Sequence, residues 1–145
     1  MNTFKKDYNI GLKNEVKIFN LIKSFDADVK MTPPSHVIDY ISSKYIYELK
    51  TRNCDRYSYD TTIVGYNKLL YADNQEKQLI LIFSFKDGVY YVKYDKDFKY
   101  TKRKYVRNPR TDYTDVQKDY VFIPVSQLIE ISTLKDQFNS PAATI

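Results

Sequence analysis

Asp39, Glu48 and Lys50 stand inside two short runs of otherwise apolar or aromatic residues, in the stretch HVIDYISSKYIYELKTRNC from His36 to Cys54. Side chains alternate in an extended chain. Val37, Asp39 and Ile41 therefore share one face of the first run, and Ile46, Glu48 and Lys50 share one face of the second. A carboxylate between apolar neighbours costs free energy unless it gains a cation or hydrogen bonds. If the runs pair as a hairpin, the three charges converge on one small volume. Two carboxylates with a backbone carbonyl or water can hold Mg²⁺, a hard ion that takes oxygen ligands. A lysine beside them can orient or deprotonate water, or stabilise charge gathering on a phosphate. An ion pair of Lys50 with Asp39 or Glu48 at a sheet edge explains the same residues structurally, and on side-chain chemistry alone the two readings stand level.

The elements around this cluster follow from periodicity. GLKNEVKIFNLIKSF, from Gly11 to Phe25, repeats Leu12, Val16, Phe19 and Ile22 at helical spacing, with Lys13, Lys17 and Lys23 free to face water. Glu15 falls on the apolar stripe, where a carboxylate needs a partner or must reach out past the rim. VIDYI and YIYELK read as strands joined by a turn at Ser42, Ser43 and Lys44. TTIVGYNKLLYADNQEK suggests a loop and then a helix from Gly65 to Asn74. LILIFSF, Leu79 to Phe85, is apolar enough for a strand covered on both faces, and Asp87-Gly88 turns it into VYYVKY as a hairpin. Asp95 to Asp119 is the most charged and least regular section; YVFIPV after it forms a strand, and SQLIEI begins a small helix capped by Ser126, before a frayed NSPAATI tail. The order α-β-β-α-β-β, a basic excursion at 95–119, then β-α makes one α/β domain over 1–145: a central mixed sheet flanked by helices.

Asp39, followed nine residues later by Glu48-Leu49-Lys50, resembles the signature of the PD-(D/E)XK (restriction-endonuclease-like) nuclease superfamily. The order of a leading helix, a motif-bearing hairpin, a helix and further strands is similar to that superfamily's core over Gly11 to Phe85. The proline usual before the first Asp is replaced by Ile38. The resemblance implies a metal-dependent DNA endonuclease in which Asp39, Glu48 and the Leu49 carbonyl hold Mg²⁺, with Mn²⁺ as an alternative, while Lys50 acts on water or phosphate. Branches that include Holliday junction resolvases add a glutamate from the first helix, a position that Glu15 matches. The same resemblance implies a homodimer acting on DNA, branched DNA among the candidates. It leaves resolvase, restriction and repair roles open. A noncatalytic DNA-binding protein on this fold is the alternative.

FKYTKRKYVRNPRT, from Phe98 to Thr111, carries Lys99, Lys102, Arg103, Lys104, Arg107 and Arg110 without an acidic residue. Interleaved with Tyr100 and Tyr105, these form a phosphate-contacting strip or a solvated charged loop. Arg52 follows the motif strand, and Lys68 opens the second helix, where free amide hydrogens also attract phosphate; both are DNA-contact candidates. The formal charge of +5 accords with an anionic partner without specifying one. His36, the sole histidine, and Cys54, the sole cysteine, cannot make a zinc site between them or a disulfide scaffold. No apolar run approaches the ~20 residues of a membrane span. The expected setting is an intracellular, reducing compartment that contains DNA, a viral source included.

Overall fold

The computed structural model describes residues 3–105 and 118–139, with side chains over 13–104 and 118–139. Arg107, Arg110 and the NSPAATI tail after Asn139 lie outside the described residues. The elements are α1 (Thr3–Lys23), β1 (Lys30–Met31), β2 (Tyr40–Ile41), β3 (Tyr45–Thr51), β4 (Thr61–Gly65), α2 (Tyr66–Asp73), β5 (Gln78–Phe85), β6 (Gly88–Lys93), β7 (Thr101–Tyr105), β8 (Lys118–Pro124), β9 (Ile129–Glu130) and α3 (Ile131–Asn139). Among the described residues, no helix is long and apolar enough to cross a membrane.

The expected mixed α/β architecture is present: a central multi-stranded sheet flanked by three helices. Six strands run in the order β1-β2-β3-β5-β6-β9, and β4-β8-β7 form a smaller second sheet. β3 and β5 pair in parallel over Tyr45↔Gln78 to Thr51↔Ser84, and every other pair in the large sheet is antiparallel. A parallel pair cannot close through a tight turn. The chain between β3 and β5 accordingly leaves the sheet, forms β4 and α2, and returns.

β5 is buried at every position from Leu79 to Phe85, and its alternation divides the interior into two cores. Leu79, Leu81 and Phe83 join Ile38, Ile46, Leu69 of α2, and Val121 and Ile123 of β8. Ile80 and Ile82 join Tyr40, Tyr47, Tyr91, Ile18 and Ile22 of α1, and Leu134 of α3. One face of the sheet thus carries α2 and the small sheet, and the other carries α1 and α3. Gly88 closes the β5–β6 hairpin with φ 153°, a conformation that side-chain-bearing residues rarely adopt.

Several local expectations are corrected. TTIVG is a strand, β4, rather than a loop. Part of the 95–119 excursion is regular, because β7 pairs with β8 from Thr101↔Phe122 to Tyr105↔Lys118. Ser126 lies in a short 3₁₀ turn, Val125–Gln127, and the helix begins only at Ile131, after β9. Among the α1 residues whose side chains are described, Ile18 and Ile22 are buried, while Val16 is half exposed. Glu15, Ile18 and Ile22 are spaced three and four apart, so Glu15 does lie along the inward face, where it is partly buried. Burying Ile18 and Ile22 contributes on the order of 1.5–3 kcal/mol each, which outweighs partial desolvation of one carboxyl group.

Candidate active site

The site begins where β2 ends. β2 offers only Tyr40 and Ile41 to β3, opposite Tyr47 and Ile46. The Asp39 N–H still reaches the Tyr47 carbonyl, at 3.0 Å, but Val37 to Asp39 form bends rather than strand. Pro33 and Pro34 precede this stretch and cannot donate to a ladder. The strict alternation expected across VIDYI therefore fails. Ile38 packs in the core of Ile46, and Tyr40 crosses to the opposite core.

With no strand partner on that side, the Leu49 N–H donates instead to Asp39 Oδ2 at 2.8 Å. This bond draws Asp39 across the gap toward the motif strand. The Leu49 carbonyl leaves β3 on the same edge as its N–H, because both groups of a strand residue face one neighbour. Thr32 anchors the segment from behind, donating its amide to the Asp39 carbonyl at 3.0 Å and its hydroxyl to the Asp39 and Ile38 carbonyls.

Glu48 points into the core that holds Ile46 and is 2% exposed. Its Oε2 meets Lys50 Nζ at 3.3 Å and Lys68 Nζ at 3.4 Å. Lys68 also donates to the Val37 carbonyl, so α2 is tied to the loop that carries Asp39. Oε1 has no partner. Among the described residues it is the only buried side-chain polar atom in that condition. Burial, reinforced by the Asp39 carboxylate, pushes the Glu48 carboxyl up to about 7 despite the opposing pull of Lys50 and Lys68.

Glu15 approaches from the other face of the sheet. Its carbonyl accepts the Tyr40 hydroxyl at 2.7 Å, and its carboxyl is held above the usual range by burial and then by Asp39. Asp39 thus lies electrostatically between Glu15 and Glu48. Among the described residues, no three His, Cys, Asp or Glu side chains gather as a metal-ligand set. The donor chemistry nevertheless fits a magnesium-type ion, which commonly takes one or two carboxylates and keeps several waters. Glu48 Oε1 is a buried oxygen with unused acceptor capacity, and the Asp39 carboxylate is near enough to act on it electrostatically.

The remaining candidates separate. Lys68, expected at the DNA surface, is instead part of the charge cluster. Arg52 is pinned to β4, its Nε donating to Thr62 Oγ1 at 3.2 Å and its Nη2 to the Ile63 carbonyl. The basic strip is divided by strand alternation: Lys102 lies over the Tyr66 ring at 4.6 Å, while Arg103 lies over Phe122 at 4.1 Å on the other face. Lys104 pairs with Asp119 at 3.4 Å, and Lys99 exchanges backbone bonds with the Gln127 amide. His36 is exposed, accepts the Ile38 N–H at Nδ1 and meets Tyr71 edge-on.

No family model, no curated protein and no solved structure matches the chain. Sequence reasoning missed the role of Lys68 because its partner is twenty residues away. One signal was available, since Lys68 sits one place before Leu69 at the start of α2, and a buried neighbour draws an adjacent long side chain toward the interior.

Proposed function

We propose that the protein is a divalent-metal-dependent DNA endonuclease of the PD-(D/E)XK type. The observation that carries this reading is the Glu48 carboxylate: buried, drawn up toward neutrality, left with one unpartnered oxygen, and set beside Asp39, Lys50 and Lys68. Nuclease sites concentrate such perturbed groups. A core selected only for stability tends to replace a buried ion pair by apolar packing at little cost.

Asp39, Glu48 and the Leu49 carbonyl would hold the ion, with Glu15 adding negative charge on the far side of Asp39. Mg²⁺, or Mn²⁺ in its place, supplies Lewis acidity toward the phosphate and acidity to the attacking water. Lys50 is about one-quarter exposed at its side chain, enough to meet solvent and substrate. Its ammonium donates to a phosphate oxygen as negative charge grows there, or holds the water in line. Lys68, less exposed, keeps Glu48 Oε2 in place and leaves Oε1 without a partner. Hydrolysis adds one water across a P–O bond and leaves a phosphate monoester and a free hydroxyl. Arg52, Lys99, Lys102, Arg103 and Lys104 would supply positive charge to the DNA backbone away from the cluster. Two copies would present paired sites to a branched junction, which makes a homodimer the expected working form.

The decisive experiment incubates linear, flapped and four-way-junction DNA with the protein in Mg²⁺ or EDTA, beside Lys50→Ala. Cleavage that needs Mg²⁺ and is largely abolished in the variant supports the reading. Cleavage unchanged in Lys50→Ala refutes it. The double lysine pairing of Glu48 favours a second reading, a noncatalytic DNA-binding protein whose cluster is an ion pair. Tight DNA binding without cleavage would select that one.

A further inference from the structure

Beyond Lys50 the same face of β3 leads into a cavity of about 380 Å³. Arg52 continues the alternation of Glu48 and Lys50, its N–H extending the ladder to the Ser84 carbonyl at 2.8 Å. Two residues of extended chain separate Lys50 from Arg52, about 7 Å. The cavity therefore begins one side chain past the proposed point of cleavage. Its volume is at the small end of ligand pockets, roughly 300–1,000 Å³, which suits a single planar group.

The lining gives the chemistry of that group. Phe85, Ile63 and Phe122 form apolar walls, Arg52 and Arg56 add two guanidinium groups, and among the described residues no acidic one contributes. The Arg56 guanidinium is fixed by the Val125 and Leu128 carbonyls and stacked against Tyr57 and Tyr90, so its position is set in advance of any ligand. Arg103 stacks on Phe122, which joins the cavity wall to the basic strand β7. Tyr59 also lines the cavity, yet is 71% exposed, an unusual position for so large a ring. Flat apolar walls and a solvent-facing aromatic lip match a base to stack, and the two guanidinium groups suit its anionic backbone.

We infer that this cavity receives an unpaired nucleobase from the DNA strand lying across Lys50. The inference rests on the nuclease reading for the path of that strand. It specifies the substrate class further: DNA with a single-stranded nucleotide beside the phosphate to be cut. A base inside a duplex is stacked on both sides and cannot enter without being unpaired, at a cost of a few kcal/mol, so a flap, bulge or junction branch point is favoured.

The test measures binding in EDTA, where cleavage plays no part. The probes are a short duplex bearing one unpaired 2-aminopurine, the same duplex with an abasic residue at that position, and a fully paired duplex. The unpaired-base duplex should bind about tenfold more tightly than the abasic one, and 2-aminopurine fluorescence should fall as the base stacks. Tyr59→Ala should erase that preference, and Tyr59→Phe should keep it. Leu70→Ala is the surface control, because Leu70 is 46% exposed and does not line the cavity; it should also keep the preference. Equal affinity for the base and abasic probes overturns the inference, as does an equal loss in both alanine variants. Indifference to the base alongside intact Mg²⁺-dependent cleavage would remove the base site and spare the nuclease reading. A base preference without any cleavage in Mg²⁺ would support the base site and remove that reading.

Discussion

Asp26 and Glu48 are both buried carboxylates, 4% and 2% exposed, and they lie on opposite sides of the same sheet. Their surroundings differ in kind. Asp26 accepts the Tyr47 hydroxyl at 2.6 Å, within the core closed by α1 and α3. Burial and that bond hold the Tyr47 phenol well above its usual range, so it remains a donor throughout ordinary pH. Glu48 is given two ammonium groups on one oxygen and nothing on the other. The first arrangement is closed. The second keeps acceptor capacity in reserve at a place that solvent can reach through Lys50. Burial alone therefore does not single out Glu48; burial with an unspent oxygen does, and the proposed function rests on that difference.

The comparison is broken most sharply by neutral substitutions. Glu48→Gln and Lys50→Ala should each lower Mg²⁺-dependent cleavage by about a hundredfold or more, the scale on which preorganised electrostatic groups act. Asp26→Asn should leave the rate per folded molecule unchanged. Steady-state cleavage normalised to folded fraction checks both. A loss in Asp26→Asn as large as in Glu48→Gln would erase the distinction.

The next effect is on stability against pH, without metal. The folded-state value of Glu48, about 7, lies above the ordinary 4.5. The native state thus binds more protons than the unfolded one between those values, and stability falls as pH rises through that window. The contribution is full below the unfolded value and lost above the folded one, on the order of 3 kcal/mol at about 1.4 kcal/mol per pH unit. Urea midpoints at pH 5 and pH 8 should show this fall in the native chain and a smaller fall in Glu48→Gln. Adding Mg²⁺ at pH 8 should restore stability to the former only, by preferential binding to the folded state.

On the other side of the sheet, Tyr47→Phe should cost about 1.5–3 kcal/mol, because a buried carboxylate loses its donor. Cleavage per folded molecule should not change. Lys68→Met has the smallest expected effect: the Glu48 titration midpoint moves further up as one of two cations is lost. Carboxyl resonances followed by NMR across pH would detect it, and a downward movement would contradict the pairing.

Much of this contrast was legible in the sequence, and its limits have physical causes. Glu48 and Lys50 sit in a regular strand, so period two placed them correctly on the face of Ile46. The continuous apolar run of β5 announced burial on both faces. Asp39 does come within electrostatic reach of Glu48, held there by a bond to the Leu49 amide that strand alternation alone does not foretell. β4 was missed because five residues ending in Gly65 look like a loop before a helix, and its pairing with β8 is made across sixty residues of chain. Parallel pairing of β3 with β5 leaves no local turn signal. Period on α1 suggested Val16 and Ile22 as core residues. Ile22 is buried as expected, but Ile18 is buried and Val16 is half exposed, because the inward line of the helix runs through Glu15, Ile18 and Ile22.

The single bond from the Leu49 amide to Asp39 has a practical consequence. An amide at the open edge of a strand ordinarily exchanges its hydrogen for deuterium readily, whereas one held by a carboxylate is protected. Leu49 is therefore a spectator position, whose exchange rate reports whether Asp39 is seated against the strand. It can be read in the resting protein, before any metal, nucleic acid or product is added.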